Sequence, residues 1–72
     1  MERLLKMKVE TIKKLYKKGM KVKLINMYGE PQMKFGICGT IEFVDDIGQI
    51  HVNWNNGSNL ALNIDVDTFR VL

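Results

Sequence analysis

The sequence predicts a mainly β domain: one amphipathic N-terminal α-helix followed by five short strands that close into a small barrel. Three observations carry this. Apolar residues recur at helical spacing as far as Gly19 and at a spacing of two beyond it. Turn-forming clusters punctuate the chain after Val44 and after Trp54. The chain has 72 residues, enough for one domain, and folding at that length removes only about 60% of the unfolded surface from solvent.

In the first segment, Leu5, Val9, Ile12 and Tyr16 trace one stripe at steps of four, three and four, with Leu15 beside it. The spacing predicts a helix within residues 4–18, with residues 10–18 its best-marked part. Lys17 and Lys18 suit the negative end of the helix dipole, and Gly19 can adopt the left-handed conformation that ends helices.

The period then shortens. Met20, Val22 and Leu24 alternate with Lys21 and Lys23, as in a strand with one buried face. Residues 28–35 hold Gly29 and Pro31 without periodicity and read as a long loop. A second strand over residues 40–44 is expected to point Ile41 and Phe43 inward and Thr40 and Glu42 outward. Asp45-Asp46-Ile47-Gly48 is a short turn. In the third strand, residues 49–54, Ile50, Val52 and Trp54 share one face and Gln49, His51 and Asn53 the other. Asn55-Asn56-Gly57-Ser58 supplies the positive-φ tolerance of a tight hairpin. Leu60 and Leu62 mark a fourth strand, residues 63–68 a polar corner, and residues 69–72 a fifth strand. This order is that of an SH3-like barrel over residues 20–72, behind a basic helix over residues 1–19; closure removes most of the exposed edges. The competing architecture is a three-stranded meander packed on the helix.

Charge is unevenly spread. Residues 1–23 hold nine basic residues against two acidic ones, whereas residues 24–72 hold two against six. The chain is a basic arm on an acidic body. Cys38 is the single cysteine and His51 the single histidine, so no internal disulfide and no closed zinc site is expected, nor any cofactor. No apolar run reaches the length of a membrane span, and a cytoplasmic, non-membrane protein is expected.

Residues 44–62, VDDIGQIHVNWNNGSNLAL, together with Gly-Ile-Cys-Gly-Thr at residues 36–40 and Val22-Lys23-Leu24-Ile25 after the Lys-Gly helix end, carry a resemblance. The chain resembles a family of small uncharacterised domains, described only as a domain of unknown function and seen mostly in phages and Firmicutes. The same pattern is similar to other SH3-like modules, tudor-like and ubiquitin-ligase-associated barrels among them. The resemblance implies a fold and a mobile-element origin, and it transfers no chemistry.

Each candidate residue has a structural role to set beside a functional one. Cys38 and His51 are the conventional nucleophile and base, but Cys38 next to Gly39 suits a small buried position. His51 lies on the outward face and is a candidate partner-binding residue. Trp54 fits core packing, or a docking platform at the strand end. Tyr28 and Phe35 flank the long loop, where barrels of this type carry binding surfaces, although Phe35 also suits a barrel cap. Lys13, Lys14, Lys17, Lys18, Lys21 and Lys23 form a basic patch suited to phosphate contacts without base reading.

The functional expectation is therefore a non-enzymatic binding module, an accessory protein of a phage or other mobile element. It docks a protein partner through Tyr28, Phe35, His51 and Trp54, with inhibition of a host or defence factor as a sub-case. The alternative is a nonspecific nucleic-acid-binding protein that uses the six lysines.

Overall fold

A computed structural model describes residues 9–72. The part of the expected helix that precedes residue 9, with the stripe residue Leu5, lies outside the described residues. The chain runs through α1 (Val9–Leu15), β1 (Lys21–Asn26), β2 (Cys38–Val44), β3 (Ile50–Trp54) and β4 (Thr68–Val71). The fold is mainly β: four antiparallel strands in one open sheet of order β3-β2-β1-β4, with one short helix.

The alternation read from the sequence decides what goes inside. Val22 and Leu24 from β1, Ile41 from β2, Ile50, Val52 and Trp54 from β3, and Leu62 are all essentially buried. Ile12 of α1 joins them at 3% exposure. The helix ends earlier than expected, at Leu15, which moves Lys17 and Lys18 out of its last turn. Past the helix the chain is tied to the sheet. Tyr16 meets the Phe69 ring edge-on at 5.4 Å between centroids, the Gly19 amide donates to the Ile41 carbonyl, and the Met20 carbonyl accepts from the Ile41 amide. Gly19 has φ +92°, the left-handed conformation its position required.

Two expectations need correction. Among the described residues four strands form instead of five: the segment expected to be the fourth pairs only at the isolated bridge between Ile50 and Leu62. Leu62 is nonetheless buried, so the segment contributes its side chain to the core without extending a ladder. Second, Phe43 points outward. The β2–β3 register passes from Ile41↔Val52 to Phe43↔His51, so Glu42 is one residue too many on β2. This bulge reverses the alternation beyond it, and Phe43 is 52% exposed.

Gly39 shows why a residue without a side chain is needed mid-strand. It pairs with Trp54, and a Cβ there would lie 2.6 Å from Val52 Cγ1 and 3.0 Å from Trp54 Cε3. Val52, the Asn53 carbonyl and the indole together occupy the space that a side chain would fill.

Candidate binding surfaces

The long loop between β1 and β2 is a chain of tight turns. The Glu30 amide donates to the Met27 carbonyl, the Met33 amide to the Glu30 carbonyl, and the Ile37 amide to the Lys34 carbonyl. Met27 and Met33 anchor it from below, at 6% and 4% exposure. Asp67 ties it to the corner before β4: Oδ1 accepts the Tyr28 amide at 2.8 Å and Oδ2 accepts the Asn63 amide at 2.8 Å. On this anchored loop Tyr28 and Phe35 stand 75% and 70% exposed. Lys23 Nζ lies 5.7 Å from the centroid of the Phe35 ring, a cation–π arrangement.

Trp54 occupies a different environment. It is 2% exposed and its Nε1–H donates to the Leu60 carbonyl at 2.9 Å, so both its apolar body and its polar tip are used inside the fold. Of its two roles the geometry favours packing, and no platform is open to a partner.

His51 faces outward, as the alternation predicts, but it has local partners. Its Nε2 lies 2.8 Å from Asp45 Oδ2, and its ring stacks on Phe43 with 4.3 Å between centroids and 8° between planes. Asp45 Oδ1 also accepts the Ile47 and Gln49 amides, at 3.1 and 2.9 Å. The His51 hydrogen bond, helped by those two amides, lowers the Asp45 pKa below the ordinary carboxylate range, against a smaller opposing effect of desolvation. An ionised carboxylate only accepts, which places the shared proton on Nε2.

This pair does not extend to a nucleophile. Cys38 Sγ lies 3.6 Å from the Gly36 carbonyl, at the other end of β2. Strand rise separates it from the Phe43–His51 pair by roughly 15 Å. Among the described residues no group of three or more His, Cys, Asp or Glu side chains is placed to hold a metal ion.

The six candidate lysines do not form one uniform patch. Lys13 pairs with Asp46 at 3.0 Å, an exposed contact of small energetic weight. Lys13, Lys17 and Lys18 border an open groove with Tyr16, Glu42 and Phe43. Lys14 is exposed on the helix. Lys21 donates to Thr40 Oγ1 at 3.0 Å, and Lys23 covers Phe35.

Two residues that the sequence reading did not single out stand exposed beside those it did: Phe43, which local alternation assigned to the core, and Arg70. The β1–β4 register sets Arg70 directly opposite Lys23.

A family model matches residues 5–72 and describes a domain of unknown function (DUF4314). The chain belongs to this family. The DUF4314 match takes in all four strands, the helix and every candidate residue named above. No curated protein and no solved structure matches the chain. Among the described residues no helix is long and apolar enough to cross a membrane.

Proposed function

We propose that this DUF4314 domain is a non-enzymatic binding module that docks a protein partner through the loop between β1 and β2. The observation that carries the reading is the contrast within that loop: Tyr28 and Phe35 are 75% and 70% exposed while Met27 and Met33 beneath them are buried. Exposed aromatic rings are the side chains that interfaces use most as anchors. Holding them on an anchored loop lowers the ordering cost of binding. An SH3-like architecture accords with the strand order and with the Ile50–Leu62 bridge, which continues the chain past β3 as a short fourth strand would. The family resemblance adds the setting: a cytoplasmic accessory protein of a phage or mobile element, with occlusion of a host or defence factor as its mode of action.

Affinity capture from a host extract, run with the wild type and with a Tyr28→Ala/Phe35→Ala double variant, tests this. A protein retained by the wild type and lost by a double variant of unchanged circular dichroism is the expected outcome. Identical retained sets would remove the loop from the proposal.

A second reading is a nonspecific nucleic-acid binder. It is favoured by the convergence of Lys13, Lys17 and Lys18 on one groove beside Phe43. Binding of this kind weakens steeply as salt rises.

A further inference from the structure

The outward face of the sheet has an ordered composition that the helix lysines do not explain. Side chains directly opposite one another across paired strands share a face, and the register defines three rows. The first is Cys38, Lys23 and Arg70; the second is Asn53, Thr40 and Lys21; the third is His51 and Phe43. These rows hold three cations and no carboxylate. Glu42, extruded by the bulge, borders the helix groove together with Phe43, and the nearest carboxylate to the third row is Asp45, bonded to His51. Lys23 and Arg70 have no ion-pair partner among the described residues.

Like charges directly opposite on a sheet repel, a cost that an anion over the Lys23–Arg70 pair would offset beyond the cation–π contact that Lys23 makes with Phe35. Successive outward positions on a strand are about 6.6 Å apart, twice the strand rise. That is close to double the 3.4 Å per nucleotide of one strand in a stacked duplex, as for a strand drawn out with its bases unstacked. The third row supplies the surface such bases need. Phe43 has one face held by His51 and is otherwise half exposed. Base–aromatic stacking beside a cationic track is how single strands are gripped without sequence preference.

We infer that this face binds an extended single-stranded nucleic acid, with phosphates over the Lys23–Arg70 pair and Lys21 and a base stacked on Phe43. The inference rests on the second reading above and moves its site from the helix to the sheet. An acidic protein would match the charges but would not need the exposed, backed ring.

Fluorescence anisotropy of a labelled oligothymidylate against the full chain, at low and at physiological salt, tests it. Lys23→Gln and Arg70→Gln should each weaken binding and each lower the salt slope by about one. Phe43→Leu, which keeps the apolar bulk and removes the stacking surface, should weaken binding roughly ten-fold with the salt slope unchanged. Trp54 fluorescence confirms that each variant is folded. If Lys17→Gln/Lys18→Gln abolishes binding and the sheet variants bind normally, the helix reading stands and this one falls. Equal affinity for duplex DNA, or for a polyglutamate of the same charge, overturns it too. A wild type that binds nothing even at low salt removes both.

Discussion

Asp45 and His51 close the β2–β3 turn together: the imidazole Nε2 sits 2.8 Å from Oδ2 of the carboxylate, whose other oxygen collects the Ile47 and Gln49 amides. The turn that the sequence marks only as Asp-Asp-x-Gly is therefore a hydrogen-bonded clasp. It also backs the Phe43 ring through His51.

The clasp makes a pH prediction. The folded pKa of Asp45 is depressed, with the His51 hydrogen bond the largest cause. Its contribution is therefore complete above the unfolded carboxylate value of about 3.9 and is lost as pH falls through the lower folded value. Asp45→Asn should melt below the wild type at neutral pH, and the gap should shrink below about pH 4. Thermal melts across that range check this; a gap that stays constant into acid would show that the charge is not its source.

Gly39→Ala should destabilise the fold by about 1–3 kcal/mol, since its methyl group would press into Val52 and Trp54. For a domain of this size that lowers the melting temperature by several degrees. A neutral result would mean that Val52, the Asn53 backbone and the indole can all shift away from β2.

Trp54→Ala should cost about 3–5 kcal/mol, a large share of the stability of so small a domain. Trp54→Phe keeps most of the bulk but leaves the Leu60 carbonyl without its indole donor, for a loss of about 1–3 kcal/mol. Urea unfolding of the two variants separates packing from hydrogen bonding. A folded, stable alanine variant would contradict the core assignment.

Met33→Ala should cost about 2–5 kcal/mol and loosen the loop that presents Tyr28 and Phe35. Hydrogen exchange should then rise at the Met33 and Gly36 amides, both of which donate within or at the end of the loop. Unchanged exchange would show that Met27 and the Asp67 contacts hold the loop by themselves.

How much of this was legible beforehand differs from element to element. The sheet core was legible, because β1, β3 and β2 as far as its bulge bury alternate residues, and Val22, Leu24, Ile41, Ile50, Val52 and Trp54 obey that rule. The exposure of Tyr28 and Phe35 followed from their place in a Gly- and Pro-bearing loop. The helix end was less legible: Gly19 does take positive φ, yet α1 stops at Leu15, and the residues between are tied to strands far away in the chain, Tyr16 to Phe69 and Gly19 to Ile41.

The sequence by itself determined the change of period at Gly19, the polar turns and the identity of the buried face, since these depend on residues two to four positions apart. Tertiary structure alone decided the bulge at Glu42, the outward turn of Phe43 and the register that sets Lys23 opposite Arg70. Register between strands is a long-range property, set by how two distant segments settle over a shared core. A single extra residue in one of them turns a side chain from the core to solvent.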